Sequence, residues 1–218
     1  MNQVIHWDCL EEMDKLIALW IKVDCLLVDP PYWMDFQSNH RKEKYNKIAN
    51  DKSLEWIDDF IEKTYSLMNE NTHWYIFCSF HNIDIFKQAA EKKFKLKNIL
   101  IWEKNNTSMW DLKWDYAPKY EMILFIHKWR RELLWWFRYA NIFKFARSWN
   151  KNHPTEKPVD MLEFLIKNST REWEIILDCF AWSGSLWVAC QNLNRKFILI
   201  EQEQAYIDII NTRLNLTC

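Results

Sequence analysis

The sequence predicts an α/β protein built on a mostly parallel sheet with one antiparallel strand. Short apolar runs of strand length alternate along the chain with longer stretches of helical period. Two of these runs, Cys25-Leu26-Leu27-Val28 and Ile175-Ile176-Leu177, are apolar throughout, as strands covered on both faces must be. Acids stand where the strands end, at Asp8, Asp29, Asp178 and Glu201. Open α/β sheets bind their ligands at the carboxyl ends of the strands, so polar groups are expected to gather there.

Each element follows in order. Val4-Ile5-His6 reads as a strand and Trp7-Asp8-Cys9 as the turn after it, while Met13, Leu16, Ile17 and Leu19 mark one face of a helix over 10–19. The next strand ends at Asp29, and a right-handed crossover puts Asp8 and Asp29 on the same sheet edge. Residues 36–52 are polar and without period, a loop able to order on a partner. Leu54, Ile57, Ile61, Tyr65 and Met68 line an amphipathic helix. A strand over 74–78, a helix over 82–93, a strand over 96–102, a polar stretch over 104–119 and a strand over 120–126 follow, the last two strands forming an antiparallel pair. Pro158 marks the first turn of a helix with Val159, Leu162, Leu165 and Ile166 inward. The chain then runs through a strand ending at Asp178, a turn of small residues to Gly184, a helix over 185–193, a strand over 197–200, and a closing helix lined by Tyr206, Ile209, Ile210 and Leu214.

Composition narrows the class. With 218 residues, 49% of them apolar, the chain can bury one substantial core, and a single domain over 1–218 is expected. There is no apolar run of about 18 residues and no secretory signal pattern, so a cytoplasmic, nucleoid-associated protein without a membrane is expected. The six cysteines are scattered and neither pair at metal-binding spacing nor sit beside paired histidines, so reduced thiols and no metal are expected. Net charge is only -1, yet 128–151 holds seven basic residues against one acid, Glu132. Such a segment is either a solvated loop or a polyanion-binding patch.

Asp29-Pro30-Pro31-Tyr32 is the motif with the most chemistry. A strand-to-turn exit in any α/β protein can read the same way, because proline removes a ladder donor and extends the residue before it. The second half supplies context. A strand, a small-residue turn, a helix and a further strand ending in an acid about twenty residues on make the arrangement that holds a nucleoside, the acid accepting from ribose hydroxyls. Glu201 falls at that position.

Taken together, the motifs resemble the β-group DNA amino-methyltransferases, the circularly permuted S-adenosylmethionine-dependent kind with a three-layer Rossmann-like fold. The resemblance runs through Asp8-Cys9-Leu10, Asp29-Pro30-Pro31-Tyr32, Asp115-Tyr116-Ala117-Pro118 with Glu121, His153-Pro154-Thr155-Glu156-Lys157-Pro158, Leu177 to Ala181 with Ser183-Gly184, and Ile200-Glu201. It implies S-adenosyl-L-methionine as cofactor and double-stranded DNA as substrate. Asp29, Pro30, Pro31 and Tyr32 would form the catalytic tetrapeptide: Asp29 and the Pro30 carbonyl accept from the target amine and Tyr32 stacks on the base. Asp8 and Cys9 would reach the adenine of the cofactor, Glu201 its ribose, and Lys157 and Asp178 its methionine end. Phe180, Ala181, Trp182, Ser183 and Gly184 would line its pocket. An amine conjugated to a ring is a poor nucleophile, so acceptors must orient it and the base must leave the duplex.

The basic run lies where the family keeps its target-recognition segment, which places a small insertion at about 128–152, with Arg130, Arg131, Arg138, Lys144 and Arg147 on DNA. Aspartate at the head of the tetrapeptide implies N6-adenine; N4-cytosine enzymes more often carry serine there. A catalytically inactive DNA-binding homologue is the reading from another class. A cognate restriction enzyme is a candidate partner, and a monomer or homodimer is expected.

One feature departs from the family. The chain has one glycine and fifteen tryptophans, where an average usage of about 7% gives roughly 15 glycines. Trp7, Trp33, Trp110, Trp114, Trp173, Trp182 and Trp187 fall where the family usually has glycine, whereas Trp56, Trp74 and Trp102 read as ordinary helix and strand residues. A genetic code that reads UGA as glycine, rendered here as tryptophan, would give this pattern; decay of an inactive homologue would scatter many residue types.

Overall fold

A computed structural model describes residues 1–31, 55–107, 114, 116–134, 139–147 and 156–215. Six helices and eight strands are described in the order β1 (Asn2–His6), α1 (Cys9–Ala18), β2 (Val23–Val28), α2 (Glu55–Leu67), β3 (Met68–Cys78), α3 (Ile83–Glu91), β4 (Lys95–Glu103), β5 (Tyr120–Lys128), β6 (Ile142–Lys144), α4 (Val159–Ser169), β7 (Ile175–Asp178), α5 (Ser185–Asn192), β8 (Lys196–Glu201) and α6 (Gln204–Asn215). One sheet carries all eight strands in the order β1-β8-β7-β2-β3-β5-β4-β6. Only β5 runs against its neighbours β3 and β4; the other pairings are parallel. The arrangement is the three-layer Rossmann-like one the sequence predicts, with the Asp29 strand preceding the Asp178 strand in the chain.

Alternation along the strands divides the core between two helical layers. Leu26 and Val28 of β2 face α1, α2 and α3, meeting Met13, Phe60 and Phe86. Cys25 and Leu27 face the other side, where α4, α5 and α6 bring Leu162, Leu186 and Ile210. Asp24, at the start of β2, accepts from Asn69 Nδ2 and from the backbone N–H of Ile175, each at 2.9 Å, and so ties three adjacent strands together at the end away from Asp29.

Two boundaries differ from expectation. β3 begins at Met68, directly at the end of α2, because the polar residues 69–72 continue the strand to its solvated end. The basic segment contains a strand, β6, which adds to β4 in parallel through Ile101 and Ile142. Its residues Ile142-Phe143-Lys144 are too few to show a period of two.

Candidate active site

Because β1, β8, β7 and β2 are adjacent and parallel, their carboxyl ends bring four acids to one edge: Asp8, Glu201, Asp178 and Asp29. Asp8, Asp178 and Glu201 are anchored by local backbone. Asp8 caps α1, its carboxylate accepting from the N–H groups of Leu10 at 2.9 Å and Glu11 at 3.2 Å. Asp178 accepts from the N–H of Phe180 at 2.9 Å. Glu201 accepts from the N–H of Trp182 and of Glu203, each at 2.8 Å. Cys9 opens α1 with its thiol pushed up to about 12 by burial and the neighbouring Asp8. Pro30 is buried and Pro31 partly so; Tyr32 lies outside the described residues.

A buried ion chain holds Asp29. Lys157, ahead of α4, sets its ammonium 2.6 Å from Asp29 Oδ2 and 3.2 Å from Glu121 Oε2, while Lys104 is 2.7 Å from Glu121 Oε1. Glu121 comes from β5, the strand that runs backwards, so its start lies at the same edge as the end of β2. Burial alone would lower the Lys157 pKa, but Asp29 and Glu121 outweigh it and the ammonium is held above its ordinary value. Burial likewise works against the Glu121 carboxylate, yet Lys157 and Lys104 keep its pKa below the ordinary one. The ring of Phe77 forms the floor, 5.0 Å from the Lys157 ammonium.

Asp178 differs, because burial first, and then the charges of Asp29 and Glu201, raise its pKa to about 8. An acid whose folded pKa exceeds its unfolded value costs stability as pH rises between the two, about 1.4 kcal/mol per pH unit. Asp178→Asn, which keeps the acceptor for Phe180, is therefore expected to gain stability relative to the parent as pH goes from 5 to 8. Urea unfolding at both pH values measures this; a difference that does not change with pH would remove the assigned cause.

The small-residue turn closes over these acids. Phe180 turns inward, with ring centroids 6.0 Å from Trp56 and 5.7 Å from Phe60. Ala181 and Ser183 are buried, and Gly184, at φ +78°, has Ile210 Cγ1 2.9 Å from where a Cβ would stand. Arg213 of α6 donates to the Ser183 carbonyl and to Glu156, fixing the turn from behind. Trp182 reaches across the cleft: its indole Nε1 donates to the backbone carbonyl of Asp29 at 2.9 Å, and its ring meets Tyr206 edge-on at 5.5 Å. A cavity of about 30 Å3 remains between Asp29, Lys157, Asp178, Phe180 and Trp182, room for one or two water molecules. The acids and turn suit a nucleoside-bearing cofactor, and the indole fills the space between the turn and the Asp29 carbonyl.

The four described basic residues among those expected on DNA, Arg130, Arg131, Lys144 and Arg147, are not brought together. Arg130 and Arg131 follow the end of β5, which lies at the far end of the sheet because β5 is antiparallel. Arg131 is engaged by Glu174 at 2.6 Å and its carbonyl accepts from His73. Lys128 is buried, donating to the carbonyls of Tyr65 and Met68 at the end of α2. Lys144 and Arg147 return to the Asp29 edge, Lys144 exposed and 3.2 Å from Glu103, and Arg147 with its N–H on Asn105. Arg138 lies outside the described residues, as does much of the run 128–152.

Acidic tips on adjacent parallel strands, a small-residue turn over them and Asp29-Pro30-Pro31 at the neighbouring tip form one polar cleft at the carboxyl edge of the sheet. The chain belongs to the DNA methylase family of N6 and N4 amino-methyltransferases, whose model matches residues 23–212. It is 29% identical over 245 residues to the type II methyltransferase M2.LlaDCHI of Lactococcus lactis subsp. cremoris, covering 97% of this chain and 88% of that one. It is 25% identical over 248 residues to the DNA adenine methyltransferase YhdJ of Escherichia coli (strain K12), covering 98% and 82%. The crystal structure of the M1.HpyAVI–SAM complex superposes with a TM-score of 0.78 at 25% identity, covering 99% of this chain and all of that one. The family takes its methyl group from S-adenosylmethionine and acts on DNA. No described helix is long and apolar enough to cross a membrane.

Sequence reasoning pairs Lys157 with a cofactor carboxylate; the structure places it between Asp29 and Glu121. Glu121, Lys104 and Arg213 carry no role in the sequence reading. For Glu121 the signal is a strand direction: once β5 is antiparallel to β3, its first residues must lie at the edge where β2 and β3 end.

Proposed function

We propose that this chain is a DNA adenine methyltransferase that modifies the N6 amine of a base turned out of the duplex. The observation that carries the reading is the position of Asp29, at the tip of β2 beside Asp178 and held by Lys157. S-adenosylmethionine supplies a methyl already activated on a sulfonium, so orientation of the amine suffices and no covalent enzyme intermediate is needed. Asp29 and the carbonyl of Pro30 accept the two amine hydrogens, turning the nitrogen lone pair out of conjugation and toward the donor. Asp29 is also placed to take the proton the amine must lose. Tyr32 stacks on the extruded ring.

The remaining residues bind. Glu201 holds the ribose; Asp8 and Cys9 lie toward the adenine, and Asp178 and Lys157 toward the methionine end. The turn from Phe180 to Gly184 forms the wall. Lys144 and Arg147 contact phosphates at the Asp29 edge, as part of a target-recognition insertion at about 128–152 in a single methyltransferase domain. Adenine is favoured over cytosine by aspartate at position 29 and by the adenine specificity in the name of the YhdJ relative.

Nucleoside mass spectrometry of DNA from the source cells, with and without the gene, tests the base. Deletion is expected to lower or remove N6-methyladenine. Loss of N4-methylcytosine instead overturns the adenine assignment and leaves the family standing.

A further inference from the structure

We infer that residues 20, 129, 173 and 182, written as tryptophan, are glycine in the working protein, and that the cofactor cleft closed by the Trp182 indole is open there. The observation is the backbone. Among the described residues six non-glycine positions have φ in the left-handed region: Trp20 at 57°, Asn71 at 56°, Trp129 at 61°, Trp173 at 68°, Trp182 at 47° and Asn194 at 55°. Asparagine visits this region readily, but a bulky side chain there is a steric outlier, and only glycine adopts it without cost. Every such position that is not asparagine is tryptophan.

The local motifs say the same. α1 ends with the N–H of Trp20 on the carbonyl of Ile17 and the N–H of Ile21 on that of Leu16. This paired ending requires a left-handed residue at the position Trp20 occupies, and glycine is its usual occupant. α5 ends identically, with Asn194 on Gln191 and Arg195 on Cys190, and there the left-handed residue is asparagine. At the cofactor turn the N–H of Gly184 bonds the carbonyl of Ala181, so Trp182 is the second residue of a four-residue turn with positive φ, a place glycine dominates.

Side-chain environments separate two groups. Trp20, Trp129 and Trp173 are 86%, 67% and 65% exposed, covering nothing that would repay the strain. Trp74 and Trp102 are buried in strands, Trp102 donating to the Phe145 carbonyl, and Trp56 packs against Phe60, Phe86 and Phe180 from α2. These three have ordinary backbones and are tryptophan in the working protein. Trp7 and Trp187 also lack the left-handed backbone, so conformation makes no demand there. Trp33, Trp110, Trp135, Trp136 and Trp149 lie outside the described residues.

A decayed gene does not place its substitutions by backbone angle. A reassigned codon does, because selection has kept glycine wherever φ requires it. The gene should therefore carry UGA at positions 20, 129, 173 and 182 and UGG at 56, 74 and 102. Protein purified from its own cells and cut with trypsin should yield the peptide 172–195 with glycine at 173 and 182. UGG at these positions, or tryptophan in that peptide, overturns the inference.

Calorimetry with S-adenosylmethionine reads the cleft. The Trp182→Gly variant is expected to bind saturably, and the chain with tryptophan not at all. Equal binding by both overturns the claim that the indole closes the site. The codon and peptide measurements do not depend on folding or on activity. If the native peptide carries glycine and the native protein still fails to bind S-adenosylmethionine, the methyltransferase reading falls and the glycine inference stands.

Discussion

Asp29→Asn is expected to lower methyl transfer by about 10²–10³-fold, the scale on which removal of a principal electrostatic group acts in a preorganised site. The substitution keeps the side-chain volume and an acceptor oxygen but removes the charge and presents an amide donor to the target amine. On the role proposed for Asp29, the effect belongs in the transfer step. Single-turnover transfer of labelled methyl to a duplex oligonucleotide, alongside cofactor calorimetry, separates the two; both measurements use the Trp182→Gly background. Near-parental transfer would refute the role given to Asp29. Lost cofactor binding would move it from the amine to the methionine end of the cleft.

The second large effect concerns stability. Lys157→Met removes the cation shared by Asp29 and Glu121 and leaves carboxylates buried without it, a change that costs about 3–5 kcal/mol when a buried pair is broken. Glu121 retains Lys104 at 2.7 Å. The sign of the pH dependence follows. Without the ammonium the buried carboxylates take up protons at higher pH than in the parent, so the deficit shrinks as pH falls. Urea unfolding at pH 7 and pH 5 should show a smaller difference between variant and parent at the lower value. A deficit equal at both would mean that packing of the lysine stem against Phe77, not its charge, is what the substitution removes.

Much of the site was legible because it is one-dimensional. Strands ending in an acid can be read from a run of apolar letters, and in a parallel sheet the ends of successive strands share one edge without further information. Asp8, Asp29, Asp178 and Glu201 were all placed in this way. The helices followed from period, with Met13 and Leu16, Phe86 and Ala90, or Leu162 and Leu165 recurring at the spacing of one face.

What the sequence hid depends on direction and on pairing. Lys128, Arg130 and Arg131 are neighbours in sequence to Lys144 and Arg147, and charge alone groups them. The antiparallel course of β5 carries the first three to the opposite end of the sheet, and β6 returns the others to the Asp29 edge. The partner of Lys157 was equally hidden. Asp29 is 128 residues away from it along the chain, and only the folded edge decides which anion reaches the ammonium first. Backbone angle is also invisible in a list of residues, so the tryptophans could be sorted in the sequence by resemblance to the family but not by the conformation each position demands.

The order of the strands governs how the protein is born. β2 joins β3 on one side, but its other neighbour is β7, with Leu26 opposite Leu177, and β1 waits for β8, with Asn2 opposite Phe197. A chain leaving the ribosome can assemble β2, β3, β5 and β4 while one side of β2 stays open, an unpaired apolar edge able to recruit another copy. The segment from β7 through β8 closes that edge and completes the row of acids in the same event. Synthesis that stalls before β7 therefore yields an adhesive fragment without a methyl-donor site, whereas completion yields the sealed sheet and the binding edge together.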